Sequence, residues 1–171
     1  SMFQSFLDQE KTIIAKPLDG YGGSNIFKIE INNSNKYVIF ETLTENSAKP
    51  ILLQSYVKEA DIGDKRILLL NGEPLGALLR VHPPDDHRNN LYTGGNAQKT
   101  TITKRDEKII ETLKPHLIQL GLYFVGIDVI GDYLIEVNVT SPTGLQEINT
   151  LNNTHLETPI INFMKSKIRS Y

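Results

Sequence analysis

The chain has 171 residues, 39% hydrophobic and 22% charged, with a formal net charge of −2. That is enough for one good core or two small lobes, and it argues against a module that binds nucleic acid by neutralising phosphate. Cysteine is absent, which excludes disulfides, thiolate metal sites and cysteine nucleophiles and agrees with a cytoplasmic location, and no apolar run is long enough to span a membrane.

Phe3, Phe6 and Leu7 have helical spacing, and a short apolar strand follows over Thr12–Ala15. The next stretch, Lys16-Pro17-Leu18-Asp19-Gly20-Tyr21-Gly22-Gly23-Ser24, leads into a strand over Ile26–Ile31. A glycine-rich connection between two strands makes either a hairpin lid whose amides approach a polyanion or a plain surface hairpin, and Lys16 at its base adds a point charge. Spacing and context exclude a Walker loop. Ser34 or Asn35 can cap a short helix reaching about Thr44, and Ile51–Val57 reads as a strand followed by a polar loop, Lys58–Asp64. Asn71-Gly72 between Lys65–Leu70 and Leu75–Val81 is a strong hairpin signal. Arg66 and Arg80 lie inside these apolar strands, either to recognise an anion or because the strand is an edge facing water.

His82–Asn96 is the longest irregular stretch and reads as a binding loop, while its histidines, His82 and His87, fall on no common face. Thr103 with Asp106 three residues on is a variant capping box, opening a helix with Ile109, Ile110, Leu113, Leu117 and Leu120 on one side and Gly121 at its end. Two β-branched segments follow, Val125–Ile130 and Tyr133–Val139, around Gly131-Asp132. The two-residue period puts Ile135, Val137 and Val139 on one face, expected to be core, and Glu136 and Asn138 on the other. A two-residue turn pairs Asp128 with Ile135. Pairing it with Glu136 needs an odd connection, and the expectation is Gly131-Asp132-Tyr133 with a bulge. Asp128, Glu136 and Asn138 then converge as oxygen donors suited to Mg²⁺, or else form a solvated polar face. Thr143–Leu151 and Pro159–Arg169 read as helices. Asn138-Val139-Thr140 and Asn152-Asn153-Thr154 match glycosylation sequons by chance. Ser1-Met2 has the look of a processing scar, so the expectation is a fragment of something longer.

Four stretches in order resemble the ATP-grasp enzymes, and among them the prokaryotic type of glutathione synthetase. They are residues 16–23, residues 63–67, the loop from Arg88 to Gly95, and Val125-Gly126-Ile127-Asp128 continuing through Glu136-Val137-Asn138-Val139-Thr140-Ser141-Pro142-Thr143-Gly144. The resemblance implies an α+β class with two lobes clamping ATP, antiparallel sheets and flanking helices. Residues 12–57 would form the clamp lobe with its glycine-rich lid, residues 58–171 the catalytic lobe, and the family's N-terminal domain would be absent.

The implied reaction is ATP-dependent ligation of γ-glutamylcysteine with glycine through an acyl phosphate, giving glutathione. Under this resemblance Lys16 would bind ATP phosphate and Gly20, Gly22 and Gly23 would cover it. The backbone of Gln54, Ser55, Tyr56 and Val57 would meet adenine, and Asp64 the ribose. Asp128, Glu136 and Asn138 would hold two Mg²⁺, with Mn²⁺ as an alternative. Arg66, Arg80 and Arg88 would face the reacting carboxylate and phosphoryl group, and Ser141 and Glu147 the peptide substrate. It further implies a homo-oligomer of the full-length enzyme, weak or no ligation by the isolated fragment, and no nucleic-acid or membrane partner. Other readings are a different carboxylate–amine ligase of the same superfamily and a nucleotide-binding domain without catalysis.

Overall fold

The computed structural model describes residues 2–20, 22–83 and 95–168. The described chain divides into two compact units, one running to Asp61 and the other built from Ile62–Val81 and the residues from Asn96 onward.

The first unit holds α1 (Met2–Glu10), β1 (Thr12–Pro17), β2 (Phe27–Glu30), α2 (Lys36–Leu43), β3 (Ile51–Ser55) and a 3₁₀ turn over Lys58–Asp61. Its three strands form an antiparallel sheet in the order β2-β1-β3. Alternation decides which side is core. Ile13, Ala15 and Ile29 are buried with Phe3 and Leu7 of α1, and Ile39, Phe40 and Leu43 of α2 pack on the same cluster. Two expectations need adjusting: the strand expected over Ile51–Val57 stops at Ser55, and Asn35 stands at the start of α2 without a side-chain cap.

The second unit holds β4 (Asp64–Leu70), β5 (Glu73–Val81), β6 (Asn96–Lys99), α3 (Lys104–Gln119), β7 (Phe124–Ile130), β8 (Tyr133–Asn138), α4 (Leu145–Asn152) and α5 (Glu157–Ile168). The strands form one antiparallel sheet ordered β6-β5-β4-β7-β8. Both faces are covered, in different ways. On one, Ile67, Leu69, Val125, Ile127 and Val129 pack under Ile110 and Leu117 of α3; on the other, Leu68 and Leu78 pack under Ile148 of α4. Leu120, expected on the apolar stripe of α3, caps the helix instead and is exposed.

The central hairpin departs from expectation in two respects. Asp128 does pair with Glu136, but the turn has two residues, because Ile130 pairs with Tyr133 and Val129 with Leu134. Gly131 takes φ 55°, the left-handed value that lets so short a turn follow the strand twist. The odd residue sits further along, at Ile135, where the register shifts between Val129 and Asp128. Second, the apolar face of β8 is not core. This strand is the sheet edge: Val137 and Val139 remain exposed, and Ile135 is only half-buried. The sequence reading also passed over β6, whose Asn-Ala-Gln-Lys carries no apolar alternation.

α3 is anchored at its first turn. The Thr103 hydroxyl accepts from the Asp106 amide, the Asp106 carboxylate accepts from the Thr103 amide, and Lys65 of β4 donates to the same carboxylate, which is 1% exposed. Replacing Asp106 by alanine removes a capping box and leaves Lys65 unpaired. The expected loss is about 3 kcal/mol in urea unfolding, with Asp106→Asn losing less.

Candidate functional site

Register places the expected residues of the second unit on one face of its sheet. Asp64 of β4 pairs with Arg80 of β5, Arg66 with Asp128 of β7, Asp128 with Glu136 of β8, and Gly126 with Asn138. Partners across an antiparallel ladder share a face, so a row of charge crosses four strands. β4 and β5 are interior strands, and Arg66 and Arg80 are almost fully buried, which removes the water-facing reading of these arginines.

Asp128 is the centre of that row. Arg66 grips it bidentately, through Nε to Oδ1 and Nη2 to Oδ2 at 2.9 Å, while Nη2 of Arg80 reaches Oδ2 at 2.9 Å. Arg80 in turn donates from Nε to Asp64 at 2.6 Å and from Nη2 to the second Asp64 oxygen. Nη1 of Arg66 donates to the Thr143 carbonyl at 3.1 Å, and Nδ2 of Asn138 lies 3.4 Å from Asp128 Oδ2. Burial by itself would push the Asp128 carboxyl up, but the Arg66 hydrogen bonds and the charge of Arg80 outweigh it and hold it below the ordinary range. Asp64 moves the other way, its burial, aided by the charge of Asp128, outweighing the hydrogen bonds and charge of Arg80 and the charge of Arg66. Burial lowers the Arg80 guanidinium, and the two carboxylates more than reverse that.

The donor chemistry suits a hard divalent cation. Asp128, Glu136 and Asn138 offer oxygens from adjacent strands; Nδ2 of Asn138 lies beside Oδ2 of Asp128, and turning that amide presents its oxygen there instead. The third donor is an amide, and among the described residues no three His, Cys, Asp or Glu side chains converge. Glu136 is exposed and makes no hydrogen bond or ion pair among the described residues. Ser141 is exposed between β8 and α4, Glu147 is half-buried in the first turn of α4, and neither joins the charged row. Arg88 lies outside the described residues.

In the first unit, Lys16, Ile14 and Gln54 occupy the sheet face away from α1 and α2, with Lys28 beside them opposite Ile14. Gly20, Gly22 and Gly23 belong to the β1–β2 connection. Ser55 pairs with Ile13 on the core side, Val57 follows the end of β3, and the Tyr56 amide donates to the Thr12 carbonyl at 3.2 Å. The Tyr56 ring sits under Lys28 Nζ at 3.8 Å, and its hydroxyl donates to Asp61. Burial and that bond to Asp61 both raise the phenol.

Three contributors escaped the sequence reading. Lys28 was visible only as one of two charged residues in a four-residue strand. Thr143 accepts from Arg66 chiefly through its carbonyl, with its hydroxyl at 3.4 Å, and a backbone acceptor leaves no side-chain pattern. Gly126 did leave a signal, a glycine inside a β-branched strand. A Cβ there would lie 2.8 Å from Pro142 Cβ and 3.2 Å from Arg66 Cδ, so the bare backbone makes room for Arg66 to lie across β7.

The fold resembles solved ATP-grasp ligases. The ligase PsnB complexed with a minimal precursor superposes with a TM-score of 0.67 at 17% identity, covering 96% of this chain and 51% of that one. The D-alanine–D-alanine ligase from Bacillus anthracis complexed with ATP gives 0.65 at 12%, covering 96% and 55%. The chain therefore has the ATP-grasp fold. Residues 1–153 match the family model for the prokaryotic glutathione synthetase ATP-grasp domain. Curated glutathione synthetases are 48% identical over 153 residues in Thermosynechococcus vestitus, 47% over 159 in Gloeobacter violaceus and 44% over 156 in Pseudomonas aeruginosa. These alignments cover 90–93% of this chain and 48–49% of the relatives, so it spans about half their length. The chain belongs to the prokaryotic glutathione synthetase ATP-grasp family.

Two outcomes follow from the buried row. Gly126→Ala forces Arg66 or Pro142 to shift and is expected to destabilise the chain by about 1–3 kcal/mol in urea unfolding. A carboxylate whose folded pKa lies below its unfolded value stabilises the fold above the unfolded pKa, and the contribution fades as pH falls through it. Stability should therefore drop below about pH 4, and Asp128→Asn, less stable at neutral pH, should show a shallower drop in the same urea-unfolding series.

Proposed function

We propose that the chain supplies the nucleotide- and metal-binding part of an enzyme that joins γ-glutamylcysteine to glycine at the expense of ATP. The observation that supports it most is the row Asp64–Arg80–Asp128–Arg66 with Glu136 and Asn138 on the same face, in a chain 48% identical to a curated glutathione synthetase.

The reaction needs charge neutralisation and positioning rather than a protein nucleophile. The carboxylate of γ-glutamylcysteine takes the γ-phosphoryl group of ATP, releasing ADP; the glycine amine then attacks the acyl carbon, forming the amide and expelling phosphate. Bound Mg²⁺ supplies neutralisation of phosphate oxygens. Asp128, Glu136 and Asn138 are the residues that would hold one or two such ions. Arg66 fixes the Asp128 carboxylate in one orientation, and Arg80 and Arg88 contribute positive charge toward the reacting oxygens. Lys16 and Lys28 present ammonium groups for the nucleotide phosphates, with Gly20, Gly22 and Gly23 allowing close backbone approach. Gln54, Ser55, Tyr56 and Val57 receive adenine, and Ser141 and Glu147 select the peptide substrate.

Titration calorimetry with a non-hydrolysable ATP analogue, with and without Mg²⁺, tests this on the chain as it stands and on Glu136→Ala. Binding should depend on Mg²⁺ and weaken on the order of tenfold in a variant whose thermal stability is unchanged, because Glu136 is exposed and makes no ion pair among the described residues. Equal binding by the variant would refute the metal assignment, and a folded chain that binds no analogue would refute the nucleotide assignment.

A further inference from the structure

Arg66 already closes two hydrogen bonds on Asp128, so Arg80 is a second cation on a carboxylate that has one. Its Nη2 is divided between two acids, reaching Asp128 Oδ2 at 2.9 Å and also a carboxylate oxygen of Asp64, while its Nε is committed to the other Asp64 oxygen at 2.6 Å. A cation held between Asp128 and Asn138 meets Oδ2, the oxygen that the Asn138 amide lies 3.4 Å from, and there it competes with Arg80. If Asp128 were the only partner of Arg80, that competition would strand a buried guanidinium, which is costly. With Asp64 in place, Arg80 can release Oδ2 and keep two charge-assisted bonds.

We propose that Asp64 is a positioning residue which, by holding Arg80, sets the affinity of Asp128 for a divalent cation. This rests on the reading that Asp128, Glu136 and Asn138 hold such a cation. It gives Asp64 work within the charged row, where both of its oxygens already accept from Arg80.

The test is Mn²⁺ binding, with the metal alone as probe and the free ion followed by electron paramagnetic resonance. It compares the unaltered chain with Asp64→Asn, Arg80→Gln, the double variant and Glu136→Ala. Asp64→Asn should weaken Mn²⁺ binding on the order of tenfold, Arg80→Gln should bind at least as tightly as the unaltered chain, and the Asp64→Asn effect should shrink below about twofold once Arg80 is gone, since coupled sites are non-additive. An equal loss in both backgrounds would mean that Asp64 acts by its charge alone and overturns the proposal, as would an Asp64→Asn variant that binds normally. A chain that takes up no Mn²⁺, or a Glu136→Ala variant that takes it up unchanged, removes the metal reading and this inference with it.

Should Arg80→Gln fail to fold, the arginine Nε–H resonances of the unaltered chain decide on addition of Mg²⁺. The Arg66 signal, on Asp128, should move while the Arg80 signal, on Asp64, stays. An Arg80 signal that moves as far as that of Arg66 overturns the assignment.

Discussion

A single carboxylate, that of Asp128, organises the second unit. It lies 3% exposed in the middle of a sheet, where an unpaired charge would be strongly destabilising, and it is kept ionised by guanidinium groups from two other strands. That requirement reaches outward. β4 must lie beside β7 to bring Arg66, and β5 beside β4 to bring Arg80. The backbone of β7 must be bare at Gly126, and the segment after β8 must return so that the Thr143 carbonyl can accept from Arg66. Sheet order, a glycine and a loop conformation are thus set by the electrostatics of one side chain.

The two units present charge differently. In the second, positive and negative groups alternate and satisfy one another, so the face is almost neutral and its geometry rigid. In the first, Lys16 and Lys28 share an open sheet face, and the only anion near Lys28 among the described ion pairs is Asp61 at 3.9 Å. Such a face suits a mobile polyanion, while the paired row suits a group that must be held still.

What could be read from the sequence was what local chemistry dictates. The capping box at Thr103 and Asp106, the Asn71-Gly72 hairpin and the stripe of α3 are each encoded within a few residues, and each formed. The pairing of Asp128 with Glu136 was also legible, because only that register gathers the polar residues on one face. The route to it was not, since a bulge can occupy any position with little effect on the apolar pattern. Nor could local pattern reveal that Val137 would lie at a sheet edge, or that one nitrogen of Arg80 would serve two acids. Those facts depend on which strands become neighbours, a property of the whole sheet.

The bulge at Ile135 has a bearing on how this hairpin tolerates change in length. A chain one residue shorter at that point would run in regular pairing from the turn to Asn138, with Glu136 still opposite Asp128. Loss of Val137 instead would carry Asn138 to the opposite side of the sheet, among the side chains facing α3. Across descendants of such a sequence, deletions in β8 should survive at Ile135 and be purged between Glu136 and Asn138, although the residue lost is apolar and lies on the edge strand in both cases.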